Sequence, residues 1–132
     1  MTALREVRHV SVSINRAPGA VYAFAANPEN LTKWATGLGS VKHVAGEWIA
    51  DSPLGHLRIR FAGENELGVL DHDVTLDSGV TTHNPMRVLP NGEGSEVVFS
   101  LFRRLDMSDA EFLNDANWVA ADLAALKRLL EQ

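Results

Sequence analysis

An α+β fold, with an antiparallel sheet packed on one long C-terminal helix, is expected from three features of this 132-residue sequence. From Arg5 to Ile14 the apolar residues Val10, Val12 and Ile14 alternate with polar ones, the period of a half-buried strand. From Ser40 to about Leu105 the chain reads as further strands broken by Gly, Asn, Asp and Pro. From Ser108 the period becomes helical: Phe112, Ala116, Val119, Leu123, Leu126 and Leu130 fall within a narrow arc of one face.

Two short helices are expected between the first strand and the others. Pro18 suits a first helical turn, and Val21, Tyr22, Phe24 and Ala25 follow at helical spacing. Asn27-Pro28 ends that helix and starts another, with Asn27 as cap and Leu31 and Trp34 on one face, before Gly37-Leu-Gly39 stops it. The long helix opens with Ser108-Asp-Ala-Glu111, the spacing of a capping box, in which hydroxyl and carboxylate each satisfy an orphan backbone donor.

Turns fix which side chains share a strand face. A three-residue loop at Asp77-Ser78-Gly79 pairs Leu76 with Val80, Val74 with Thr82, His72 with Asn84 and Leu70 with Met86, so that the apolar residues face one way. A two-residue turn at Asn91-Gly92 sets Met86 opposite Val97, Asn84 opposite Phe99, Thr82 opposite Leu101 and, outside, Arg87 opposite Glu96. Pro85 has no N–H to donate, so a bulge or a broken ladder is expected beside it. Leu57, Ile59 and Phe61 alternate with His56, Arg58 and Arg60, and a loop around Gly63-Glu64-Asn65 returns the chain to Leu70. One face then carries Leu57, Ile59, Phe61, Leu70, Val74, Met86, Val97, Phe99 and Leu101, with His72 and Asn84 across from each other and Thr82 one step along.

Composition narrows the function. With 45% hydrophobic and 22% charged residues and no repeat or biased stretch, residues 1–132 read as one domain. Twelve Lys plus Arg against seventeen Asp plus Glu give a net charge of -5, with no basic run beyond Arg103-Arg104, which argues against a nucleic-acid partner. There are no cysteines, which removes disulfides, zinc-thiolate sites and Cys nucleophiles. The opening Met-Thr-Ala-Leu-Arg-Glu-Val-Arg-His is too charged for a signal peptide and no apolar run is long enough for a membrane span, so a cytoplasmic location is expected. No nucleophile elbow, phosphate-binding loop or dinucleotide fingerprint is present, and no cofactor is expected. In Asp71-His72-Asp73 strand alternation sends both carboxylates away from the imidazole, and His9, His43, His56 and His83 show no ligand spacing, so no metal is expected.

The segment Ile14-Asn-Arg-Ala-Pro-Gly-Ala-Val-Tyr-Ala-Phe-Ala-Ala-Asn-Pro-Glu-Asn-Leu-Thr-Lys-Trp34, the terminal segment Met107 to Leu130 and the order of strands between them resemble the START-like, SRPBCC superfamily. The likeness is greatest to its small bacterial polyketide cyclase/dehydrase-type members. Gly68 to Leu76, Asn84 to Val88 and Gly94 to Phe99 look like an uncharacterised subgroup of these. The resemblance implies a helix-grip fold: a curved antiparallel sheet wraps the C-terminal helix and leaves a cavity between them. It does not imply one chemistry, since such proteins include lipid and hormone carriers as well as aromatic cyclases.

Within such a cavity His72 is the most informative residue, because an imidazole among Leu and Val side chains loses solvation and needs a partner, a role open to Asn84. His72 either orients a ligand oxygen, acts as general acid or base, or is a buried structural histidine satisfied by Asn84, water or backbone. The expected ligand-binding set is His72, Asn84, Thr82, Trp48, Leu57, Ile59, Leu70, Met86, Phe99, Leu101, Arg103, Phe112 and Val119, with His72 the candidate catalytic residue. Arg103 meets a ligand carboxylate or pairs with Asp115 or Asp122; Trp48 roofs the cavity or packs at its edge, and Trp118 flanks the helix face. Outside, Val69, Pro85, Val98 and Phe102 are more apolar than a solvated face needs, which suggests a homodimer contact. Three readings follow: a module binding a small apolar or aromatic molecule, a cyclase or dehydrase acting through His72, and an interaction module with a filled cavity.

Overall fold

The computed structural model describes residues 3–132; Met1 and Thr2, the start of the charged opening segment, lie outside the described residues. The fold is α+β, of helix-grip type: a curved antiparallel sheet and a long C-terminal helix, with two short helices after the first strand. In chain order the elements are β1 (Val7–Ile14), α1 (Pro18–Ala25), a 3-10 turn (Pro28–Asn30) and α2 (Leu31–Trp34). There follow β2 (Val41–Val44), β3 (Glu47–Ser52), β4 (Gly55–Phe61), β5 (His72–Leu76), β6 (Thr81–Asn84), β7 (Met86–Asn91), β8 (Gly94–Phe102) and α3 (Asp109–Leu130). Pro18 stands at the start of α1, and the Asn27 side chain accepts from the Glu29 amide at 3.0 Å to cap the 3-10 turn. Ser108 and Glu111 form the full capping box of α3.

The strands form ladders β2-β3-β4-β5-β6 and β1-β8-β7, which meet at Pro85. Lacking an N–H, Pro85 separates β6, paired with β5, from β7, paired with β8. The break is well satisfied. Its carbonyl accepts from Ser100 N (3.0 Å), and Asp71 accepts from both the Met86 amide (2.9 Å) and the Arg87 guanidinium (3.1 Å). Residues 68–70 span the junction, with Leu70 N donating to Met86 O (2.8 Å) and Val88 N to Gly68 O (2.9 Å). The two ladders thus run on into one another.

The Asp77–Gly79 loop gives the expected register, with His72 opposite Asn84, Val74 opposite Thr82, and Gly79 at φ +91. The turn after β7 does not. Asn91 pairs with Gly94, so the two-residue loop is Gly92-Glu93, with positive φ at Gly92 alone. A glycine at the first loop position suits a II′ geometry, which moves the turn one residue on and the register by two. Met86 therefore faces Phe99 rather than Val97, and Arg87 faces Val98 rather than Glu96. Arg87 pairs with Asp71 instead, and Glu96 accepts from Ser13. Neither Asn84 nor Thr82 pairs with β8, because the ladder ends at Pro85. A shift of two preserves the faces, so Met86, Val97, Phe99 and Leu101 remain in the core.

α3 lays Phe112, Ala116, Leu123, Leu126 and Leu130 into that core, while Val119 is only half-buried. Both ends are tied down. Near its C-terminus Lys127 donates to Ser13 O (2.6 Å) and Arg16 to Leu130 O (2.9 Å), while Glu131 accepts from Asn15 N (2.8 Å). At the other end Arg103 donates to Asp109 (2.6 Å), Glu6 (3.1 Å) and the Met107 carbonyl. Between these clamps the helix middle stands off the sheet.

Candidate functional site

The space under the middle of α3 is a cavity of about 500 Å³. The sheet contributes Leu57 and Ile59 from β4, His72 and Val74 from β5, Asn84 from β6 and Phe99 from β8. Strand alternation puts these side chains on one face, and the β4–β5 register brings Phe61 opposite His72. The helix contributes Asn114, Asp115, Trp118, Val119, Asp122 and Leu123. The rim is completed by Leu31, Trp34 and Leu38 around α2, and by Ser52 at the end of β3 with Pro53 and Leu54 in the turn to β4.

Six of the residues expected from sequence border this cavity: His72, Asn84, Leu57, Ile59, Phe99 and Val119. Leu70, Met86, Leu101 and Phe112 are instead packed in the core. Thr82 lies beyond the cavity on β6, and Trp48 stacks on His43 across the β2–β3 hairpin, with ring centroids 4.4 Å apart. Arg103 meets neither the cavity nor the acids named for it: it clamps the start of α3 through Asp109, while Asp122 accepts from Thr36 and Asp115 lies near Arg104. Phe112 lies under the guanidinium groups of Arg8 and Arg103, each 5.7 Å from its ring centre.

The rim was the part missed. The Asp122 carboxylate takes the Thr36 amide (2.9 Å) and hydroxyl (2.7 Å), docking the loop after α2 onto α3. Trp118 lies directly on Gly37, where a Cβ would come within 2.8 Å of the indole. Gly37 therefore makes room for an aromatic ring; it is not the expected helix stop, because α2 already ends at Trp34 with Ala35 as its C-cap. The available signal was Asp115, Trp118 and Asp122 at helical spacing along the margin of the buried stripe.

His72 is held precisely. Its Nδ1 lies 3.0 Å from the Leu70 carbonyl, and since a carbonyl only accepts, Nδ1 carries the proton. The ring tilts against Phe61 (5.1 Å between centroids) and sits edge-on to Phe99 (5.9 Å). Burial pushes its pKa below the ordinary histidine value; the Leu70 bond and Asp71 and Asp73 oppose this without reversing it. A neutral ring with its hydrogen on Nδ1 has a lone pair on Nε2, and no described residue bonds to that atom. Asn84 faces His72 across the ladder but does not bond to it, and its amide has no hydrogen-bond partner among the described residues. Burial pushes the Asp122 carboxyl up against the pull of Thr36, and the Asp115 carboxyl up against the pull of Arg104. Trp34 Nε1 is the one buried side-chain nitrogen without a partner among the described residues. Those residues contain no cluster of three or more potential metal ligands.

No family model and no curated protein matches the sequence. Solved structures do match the fold. An uncharacterised protein from Bacillus thuringiensis superposes with a TM-score of 0.78 at 17% identity, over 96% of this chain and 100% of its own. The Aha1 dimer from Colwellia psychrerythraea gives a TM-score of 0.76 at 15% identity, over 96% of each chain. Ara h 8.0201 gives 0.73 at 12% identity, over 95% of this chain and 97% of its own. At these identities the likeness establishes a shared helix-grip architecture for this chain.

Proposed function

We propose that the protein binds a small apolar or aromatic molecule between the sheet and α3, with His72 and Asn84 as its polar anchors. The observation that carries this reading is the cavity: about 500 Å³, walled chiefly by Leu, Ile, Val, Phe and Trp, with a few polar atoms that find no partner among the described residues. Ligand pockets commonly occupy roughly 300–1,000 Å³ and pair apolar walls with a few oriented polar groups. In this reading residues 1–132 form one cytoplasmic START-like domain of the SRPBCC type, akin to the small polyketide cyclase-like proteins, and binding needs no cofactor. A homodimer through the outer face fits the exposed Phe102 beside half-buried Val98 and Pro85, and a dimer occurs in the similar Aha1 structure. The cyclase or dehydrase reading draws on the same free lone pair of His72, which is what a general base requires.

Native mass spectrometry of purified protein, followed by titration with a neutral solvatochromic dye, tests the reading. A co-purifying small molecule, or dye binding that a Val119→Trp substitution removes, is the expected result. Dye binding unaffected by that substitution, with nothing co-purified, overturns it.

A further inference from the structure

The polar groups around the cavity are unequal in kind, and the inequality selects among ligands. Nδ1 of His72 is committed to the Leu70 carbonyl, so the ring offers the cavity only its Nε2 lone pair. That atom has no partner among the described residues, yet it is not among the sealed ones, where Trp34 Nε1 stands alone. It therefore keeps accessible surface, and the space His72 borders is the cavity. An acceptor in an apolar recess is satisfied by a donor. At the same time none of the lining residues is Lys or Arg, while two, Asp115 and Asp122, carry carboxylates. An anion entering here would lose its water, meet no cation and face two like charges.

We propose that the cavity selects an uncharged aromatic molecule bearing a hydroxyl, which donates to His72 Nε2, and that it rejects carboxylates of the same shape. This rests on the binding function proposed above and assigns that site its ligand class. The aromatic preference follows from Phe99, Trp34 and Trp118 in the wall, whose rings favour stacked or edge-on neighbours. Asn84, opposite His72 in the ladder, offers its amide N–H as donor to the oxygen of the same ligand, a contact that hydroxyl and ether accept alike.

Four probes of one shape test this: naphthalene, 2-naphthol, 2-methoxynaphthalene and 2-naphthoate, titrated by calorimetry at neutral pH. One net hydrogen bond makes 2-naphthol about fivefold tighter than its methyl ether, and naphthoate is expected at least about tenfold weaker than naphthol. In His72→Phe the ratio of naphthol to ether affinity falls to about one. The wild-type protein gives a readout that needs no variant: the Nε2 nitrogen resonance of His72 should have the position of an unprotonated acceptor and move with naphthol but not with the ether. Equal affinity for naphthol and ether, or naphthoate binding as tightly as naphthol, overturns the proposed ligand class while leaving the binding function standing. Failure of all four, naphthalene included, overturns both.

Discussion

A histidine among phenylalanine rings must shed its charge or find an anion, and His72 has shed its charge. Asp71 and Asp73 are adjacent in sequence, but alternation turns them to the other side of the strand, where they serve Arg87 and His83. A ring held neutral has a consequence for stability. Its folded pKa lies below the unfolded value of 6.5, so the unfolded chain takes up a proton first as pH falls. Stability is therefore full above 6.5, declines as pH drops through it, and levels off only once the folded ring also protonates. Asp115 and Asp122 act in the opposite sense: burial raises their folded pKa values above 3.8, so the folded chain takes up those protons first and their contribution to stability grows as pH falls. Urea unfolding between about pH 7.5 and 5.5 should show a falling midpoint in the wild type and a flatter profile in His72→Gln. Parallel profiles would mean that the ring is not held neutral. That His72 points inward was readable in the sequence, because the loop at Asp77–Gly79 fixed its register. Which of Asn84, water or backbone would satisfy it was not, because a backbone carbonyl two residues back leaves no trace in side-chain patterning.

The strands show the same division. Alternation identified their faces, and Asn91-Gly92 located a turn, but the choice between Asn91-Gly92 and Gly92-Glu93 as the loop depends on which residue takes positive φ. Faces survived the error because a two-residue slip returns every side chain to its own side; the outer ion pair did not. Likewise Pro85 announced a broken ladder, but not that Asp71 and residues 68–70 would bridge it. Gly68 is central to that bridge. It sits at φ +73, its carbonyl accepts from Val88 N, and a Cβ there would overlap the carbonyl oxygen of that same Val88, which as β7 backbone has little room to move. Gly68→Ala adds left-handed strain to a backbone clash, so a loss of about 3 kcal/mol is expected in urea unfolding. Gly79→Ala, also at positive φ but with no atom within 4 Å of its Cβ, should lose only the conformational part, about 1 kcal/mol. Equal losses would show that the junction of the ladders yields easily.

The α3 stripe shows how the assembled molecule sorts residues that the sequence treats alike. Phe112, Ala116, Val119, Leu123, Leu126 and Leu130 share one helical arc, yet Leu126 is fully buried where α3 is clamped against β1, and Val119 stands over the cavity where the helix spans the gap. Periodicity reports a face and is blind to what lies across from it. The sheet wall was therefore legible through alternation, but the rim was not: the loop after α2 reaches Asp122 across 86 positions of sequence. Two substitutions in the stripe separate core from cavity. Leu126→Ala removes side-chain volume from a packed site and should cost about 2–5 kcal/mol with or without ligand. Val119→Trp places volume where none is packed, so unfolding without ligand should shift by less than about 1 kcal/mol. The responses to a saturating neutral aromatic ligand should then diverge. Wild type and Leu126→Ala gain about 2.7 kcal/mol at a ligand concentration of about 100 Kd, whereas Val119→Trp gains nothing. Thermal unfolding with and without ligand reads all three. A Val119→Trp protein that loses as much stability as Leu126→Ala would show that the space beneath α3 closes in solution.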